Sequence, residues 1–180
     1  MKFNPLAIKD VLRIELDRIE DERGFFARSF CSREFGERGL FTEIRQINTS
    51  YTLQKGTIRA LHFQRAPAAE AKVVRVVRGS IFDVAVDLRK GSPTFGRWVS
   101  QELNSENRAA LYIPEGFAHG FQTLTNDVEM TYLHSAAYDA DCGGGVYYGD
   151  TQIGIDWPLP ETVISPRDRE LPPLADLEPL

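Results

Sequence analysis

The chain has 180 residues, 42% of them hydrophobic and 26% charged, a composition that excludes disordered, collagen-like and coiled-coil proteins. Lys and Arg number 21 against 26 Asp and Glu, a net charge of −5, so the positive excess of a general nucleic-acid binder is missing. The length suits one domain burying its own core. The two cysteines, Cys31 and Cys142, form neither a disulfide framework nor a C-x-x-C pair, as befits a reducing compartment.

The opening Met1–Leu6 has no apolar stretch before Lys9 and Asp10, so no secretory signal is predicted. No uncharged run approaches the roughly 18 residues of a membrane span, and the expectation is a cytoplasmic protein that engages no membrane. A first strand is predicted over Val11–Leu16. Ser32 to Arg38 reads as two helical turns closed by Gly39, and Ile58–Gln64 as a strand. Val73–Val77, the link Arg78-Gly79-Ser80 and Ile81–Leu88 read as a hairpin. In its second arm Phe82, Val84, Val86 and Leu88 share one face, while Asp83, Ala85 and Asp87 share the other. Strands follow at Ala109–Ile113, Gly120–Leu124 and Glu129–His134, and the proline-rich segment from Trp157 is expected to wrap the surface with little helix. Many short strands with regular turn signals, and no internal repeat, predict an all-β antiparallel sandwich or barrel in a single domain over 1–180.

Between residues 59 and 78 the basic residues Arg59, Arg65, Lys72, Arg75 and Arg78 meet only Glu70. Such a stripe on an acidic protein suits a small anionic ligand such as a diphosphate, which guanidinium forks bind bidentately; a solvated strand face that blunts a sheet edge reads the same way. The three histidines are His62, His119 and His134. A lone strand histidine commonly serves as a hydrogen-bonded core residue, and two on separate barrel strands can also ligate a metal. The close H-x-H spacing of such metal sites is absent: Gln64 follows His62 by two and Phe121 follows His119 by two. Tyr132 alternates with Met130 and His134 on one strand face, and Asp168 in Ser165-Pro166-Arg167-Asp168 suits a turn or helix cap. Singly, none of these residues identifies a chemistry.

As an ordered set they do. Asp21-Glu22-Arg23-Gly24-Phe25-Phe26, Gln46-Ile47-Asn48-Thr49-Ser50, Arg59-Ala60-Leu61-His62-Phe63-Gln64, Lys72-Val73-Val74, Tyr112-Ile113-Pro114-Glu115-Gly116-Phe117-Ala118-His119, Tyr132, Tyr138 and Ser165-Pro166-Arg167-Asp168 resemble, in order, the signatures of the nucleotide-sugar 3,5-epimerase family. The resemblance implies a cupin-type antiparallel jelly roll with a few short helices. It also implies a homodimer, no cofactor, no metal, and a nucleoside-diphosphate 4-keto-6-deoxyhexose as substrate, the deoxythymidine form being favoured.

By the same resemblance His62 is the base that removes the proton beside the C4 ketone, with Asp168 orienting it. Tyr132 is the acid on the other face of the sugar, and Lys72 stabilises the enolate oxygen. Arg23, Phe26, Gln46, Asn48, Arg59, His119 and Tyr138 would bind substrate, with Arg23 and Phe26, in the segment 1–30, reaching into the partner subunit. His62 and Lys72 are expected on neighbouring strands. Four positions depart from the family pattern. Ala60 stands where the family has Gly, a methyl that can crowd the sugar or restrict the backbone. Gly143, Tyr148 and Gly149 replace Glu, Trp and Asn, and Gly143-Gly144-Gly145 reads as a floppy loop. The departures bear on which sugar or nucleotide is accepted. Inversion at C3 or C5 alone, or a CDP- or GDP-linked sugar, would use the same machinery. A non-catalytic sugar-binding cupin would have no need of His62, Lys72, Tyr132 and Asp168 together.

Overall fold

The computed structural model describes all 180 residues, Met1–Leu180. Its strands are β1 (Lys2–Pro5), β2 (Leu12–Glu15), β3 (Ile19–Asp21), β4 (Gly24–Phe26), β5 (Gln46–Thr52), β6 (Ile58–Gln64), β7 (Lys72–Arg78), β8 (Ser80–Asp87), β9 (Trp98–Asn104), β10 (Ala110–Ile113), β11 (Phe117–Thr123), β12 (Val128–His134) and β13 (Gly143–Gly145). Helices are confined to α1 (Ser32–Gly36), α2 (Pro166–Arg169) and a 3₁₀ turn at Leu174–Asp176. A six-stranded sheet runs β1-β2-β10-β7-β12-β5 and a five-stranded sheet β13-β6-β11-β8-β9. All pairings are antiparallel. The chain is an all-β jelly roll, as the motifs implied.

Both sheets bury both faces. Between them lie Val74, Val76, Ile81, Ala85, Leu111, Ile113, Phe117, Phe121 and Met130. The outer face of the six-stranded sheet carries Val73, Ala110 and Tyr112 under Phe35 of α1 and the flanking Phe30 and Phe41. The outer face of the five-stranded sheet carries Val84, Val86 and Leu88, sealed by Val146, Ile153, Ile164 and Leu174 from the C-terminal segment. The proline-rich tail is thus a structural cover, and burying a side chain such as Ile164 is worth roughly 1.5–3 kcal/mol. The alternation read in β8 is correct. Its apolar face is the one covered by the tail, and the face bearing Asp83 looks inward.

Two expectations are overturned. Val73–Val77 and Ile81–Leu88 do not pair as a hairpin: β7 hydrogen-bonds β10 and β12, while β8 hydrogen-bonds β11 and β9. Gly79, at φ +81°, turns the chain from one sheet to the other, and a Cβ there would lie 2.6 Å from Thr125 Oγ1. Two apolar strands joined by a tight turn can pair edge to edge or face each other across a core, and here both present side chains to the same interior. Nor is Gly143-Gly144-Gly145 a loose loop, since it forms β13 on the edge of β6. A Cβ on Gly144 would meet the Phe63 ring at 2.6 Å, and one on Gly145 the Leu61 carbonyl oxygen at 2.6 Å. The glycines permit close approach of two backbones. The extra methyl of Ala60 lies in the outer apolar cluster, where a Cβ on Gly120 would fall 2.4 Å from it. It is accommodated by that glycine and does not enter the cavity.

Candidate active site

One cavity of about 740 Å³ opens between the sheets. The six-stranded sheet contributes Asn48 and Ser50 from β5, Lys72 from β7, and Tyr132 and His134 from β12. The five-stranded sheet contributes Arg59 and His62 from β6 and His119 and Phe121 from β11. The start of α2 closes one side with Ser165, Arg167 and Asp168. His62 and Lys72 therefore sit on opposite sheets, not on neighbouring strands, which places the imidazole and the ammonium on facing walls.

His62 Nε2 lies 2.7 Å from Asp168 Oδ1. The hydroxyl of Ser165 caps α2 by accepting from the Asp168 N–H at 3.1 Å, which fixes the backbone that presents the carboxylate. Burial pushes the Asp168 carboxyl up, but the hydrogen bond and charge of His62, with the Ala60 N–H and Ser165, outweigh it and hold the group below the usual range. An ionised carboxylate only accepts, so Nε2 carries a proton, and in the neutral tautomer so fixed the lone pair is on Nδ1. The His62 side chain is 39% exposed and that of Asp168 only 6%: a reachable imidazole on a buried carboxylate.

His119 is the cross-strand partner of His62, and its Nε2 lies 2.7 Å from Asp83 Oδ1. Burial drives Asp83 upward against the charges of His119 and Lys72. On the facing wall the Tyr132 hydroxyl lies 3.0 Å from Ser50 Oγ, its ring edge-on to His119 and stacked with His134. Burial pushes Tyr132 up to about 12, against the Ser50 hydrogen bond, so at neutral pH it holds its proton. Arg59 is braced by donating from Nε to Thr52 Oγ1 at 3.2 Å and from Nη2 to the Tyr51 carbonyl at 3.3 Å.

Of the residues singled out in the sequence, His62, Lys72, Tyr132, Asp168, Asn48, Arg59 and His119 line this one cavity. Gln46 and Tyr138 stand at its rim: Gln46 Nε2 donates to Asn48 Oδ1 at 3.0 Å and Gln46 Oε1 accepts from the Tyr138 N–H at 2.9 Å. Arg23 and Phe26 lie outside their own chain's cavity, on the two-stranded β3–β4 ribbon, with Phe26 73% exposed. The basic stripe is dispersed. Arg75, on the outer face of its sheet, donates to the Arg108 carbonyl, and Arg65 lies over the Phe63 ring; only Arg59 and Lys72 of the five face the cavity. The cavity also takes in Ser50, His134 and Arg167, to which the sequence reading gave no site role, and behind it Glu70 lies against Lys72 and His134. Ser50 was within reach, since it lies two residues beyond Asn48 on the same strand face. Glu70 sits in an alanine-rich link that carries no periodic signal.

A family model described as dTDP-4-dehydrorhamnose 3,5-epimerase matches residues 5–176. The dTDP-4-dehydrorhamnose 3,5-epimerase of Sinorhizobium fredii is 44% identical over 178 residues, covering 98% of this chain and 91% of its own. The dTDP-4-dehydrorhamnose 3-epimerase of Streptomyces niveus is 38% identical, covering 98% of this chain and 85% of its own. A crystal structure of the Legionella pneumophila 3,5-epimerase, in complex with dTDP-4-keto-L-rhamnose, superposes with a TM-score of 0.93 at 37% identity, covering 98% of this chain and 94% of that one.

Proposed function

The chain belongs to the dTDP-4-dehydrorhamnose 3,5-epimerase family, and from that membership we propose that it inverts C3 and C5 of a dTDP-linked 4-keto-6-deoxyhexose. The observation that carries the reading is one cavity with a His–carboxylate pair on the wall formed by β6 and α2 and a protonated phenol on the facing sheet. A ketone at C4 acidifies the hydrogens on C3 and C5, because the electron pair left behind delocalises onto the ketone oxygen. Inversion then needs a base on one face of the ring and an acid on the other.

His62 Nδ1 takes the proton, and the imidazolium that results is stabilised by the Asp168 carboxylate, which stays ionised throughout. Negative charge appears on the C4 oxygen only after abstraction. The Lys72 ammonium therefore favours the enolate over the ketone, which is what lowers a barrier. Tyr132 delivers its proton to the opposite face of the carbon, with Ser50 fixing the direction of the hydroxyl. His119 assists as a donor to the sugar. Arg59 grips the diphosphate, with Gln46, Asn48 and Tyr138 at the nucleotide end.

Arg23 and Phe26 would complete the site of a second copy. A ribbon carrying Ile19, Phe25 and Phe26 in the open, together with exposed Ile47 and Tyr51 on the edge strand β5 and Leu53 just beyond it, suits a homodimer in which each cavity is finished by the partner. No helix is long and apolar enough to cross a membrane, and a cytoplasmic deoxysugar-forming enzyme is the setting that agrees with this substrate.

The test is incubation with dTDP-4-keto-6-deoxyglucose in deuterated water, beside CDP- and GDP-linked analogues. Deuterium at both C3 and C5 of the dTDP sugar, with inverted product, is expected. Exchange at one carbon alone would restrict the reading to a single-site epimerase, and no exchange on any sugar would overturn it.

A further inference from the structure

The third histidine has no role in the acid–base scheme, yet it is as deeply set as the residues that do. Its Nδ1 lies 2.7 Å from Glu70 Oε2, and the other carboxylate oxygen, Oε1, lies 3.0 Å from Lys72 Nζ. The side chains of His134, Glu70 and Lys72 are 10%, 9% and 10% exposed. Burial pushes the Glu70 carboxyl up, but the His134 hydrogen bond and the Lys72 ammonium outweigh it and keep the group below its ordinary value. Glu70 is thus an ionised carboxylate, with one oxygen on each neighbour.

The direction of every hydrogen bond behind this pair is determined. The backbone N–H of Tyr138 can only donate, so the atom of Gln46 that meets it at 2.9 Å is the amide oxygen. Gln46 Nε2 then donates to Asn48 Oδ1 at 3.0 Å. This leaves Asn48 Nδ2 to donate to His134 Nε2 at 3.3 Å. With Nε2 accepting, the proton of the neutral ring resides on Nδ1, which donates to Glu70. A single main-chain donor at the rim therefore orients Gln46, Asn48, His134 and Glu70 in turn, and the series ends on the Lys72 ammonium.

We propose that Glu70 and His134 are positioning residues, which hold the Lys72 ammonium against the place where the C4 oxygen becomes negative. The inference rests on the reading of Lys72 as the enolate stabiliser. A lysine carries four rotatable side-chain bonds and a freely rotating ammonium, so unaided it spreads over many rotamers. The bond to Glu70 Oε1 occupies one of its three donors and leaves the other two for the cavity. Glu70 has the same difficulty in smaller measure, and His134 answers it with a rigid ring, itself stacked on Tyr132 with centroids 6.1 Å apart. The set also joins the nucleotide end of the cavity to its reacting end, because Gln46 and Asn48 belong to both.

The experiment measures deuterium wash-in at C3 of dTDP-4-keto-6-deoxyglucose, as kcat and KM separately, with thermal melts to confirm folding. Glu70→Gln keeps the shape and removes the charge. Because a misplacement of about 1 Å can cost roughly 10²-fold, kcat should fall by about ten- to a hundredfold while KM changes little. His134→Leu should fall similarly, and His134→Gln, whose amide N–H can replace Nδ1–H, should recover most of that loss. In a Lys72→Met background, Glu70→Gln should cost nothing further, since it acts only through Lys72. Unchanged kcat in both Glu70→Gln and His134→Leu would overturn the proposal, as would a Glu70→Gln loss that adds in full to that of Lys72→Met. If the unaltered protein shows no exchange at all, the epimerase reading itself fails and takes the proposal with it; if it exchanges normally and these variants do too, the proposal alone fails.

Discussion

Asp168→Asn is the change that most cleanly separates charge from shape at the base. The substitution preserves the volume of a buried side chain in α2 and removes two things. The first is the negative charge that stabilises the His62 imidazolium. Unit charges about 4 Å apart interact by about 4 kcal/mol at an effective dielectric constant of about 20. The 39% exposure of His62 admits some water, so about 3 kcal/mol is the better figure, or roughly 10²-fold in rate. The second is the tautomer. An Asn Nδ2 donates to His62 Nε2, which leaves the proton on Nδ1 and removes the lone pair that acts as base. Adding this effect, the loss in kcat should lie between about 10² and 10⁴, with nucleotide affinity nearly unchanged. The assay is deuterium wash-in at C3 and C5, with dTDP affinity by calorimetry. A variant within about threefold of the parent in wash-in would refute the argument that Asp168 sets the state of His62.

Gly145→Ala should disturb β13 more than Gly144→Ala, because the new methyl meets the immobile Leu61 carbonyl at 2.6 Å whereas Gly144→Ala meets the Phe63 ring. Overpacking of this kind costs about 1–3 kcal/mol, read as a lower melting temperature. Acid sensitivity should be traceable to Asp87. Burial raises its pKa, but hydrogen bonds from Arg89, Ser92 and Thr94 outweigh this and bring it down to about 2. A depressed carboxylate stabilises the fold fully above its unfolded value, near 3.8, and loses that contribution as pH falls through the folded value. Urea midpoints of the parent should therefore drop between about pH 4 and pH 2 more steeply than those of Asp87→Asn. Equal slopes would place the acid-labile group elsewhere.

Much of this architecture was legible in the residues. The bounds of Ile58–Gln64 agree with β6, and the division of β8 into two faces follows from simple alternation, whereas which face looks inward depends on the tail that covers the other. The sheet partners did not follow, because alternation says which face is apolar and nothing about which strand lies alongside. The link Arg78-Gly79-Ser80 therefore read as a hairpin where the chain crosses between sheets. The weakly apolar β1, β5 and β9 were missed, since they lie at sheet edges or are half-exposed and lack the Val-rich pattern of β7. The glycine strand β13 escaped because its reason is the nearness of Phe63 and Leu61, which no local pattern reveals. In the site, His62 and Asp168 are 106 residues apart, and only their place in an ordered set of motifs drew them together. Glu70 left no such trace. Its meaning lies in contacts with Lys72 and with His134, 64 residues away.

The central claim is that protons leave and arrive on opposite faces of the sugar, through His62 on one sheet and Tyr132 on the other. Tyr132→Phe tests it most directly, because the ring and its packing against His119 and His134 remain while the phenolic proton is gone. Wash-in of solvent deuterium and formation of inverted sugar are followed together by NMR. Abstraction by His62 does not use the phenol, so exchange at one or both carbons should continue while inverted product falls sharply, most severely at C5. Doubly inverted product at close to the parent rate would contradict the account and make Tyr132 a packing residue of β12.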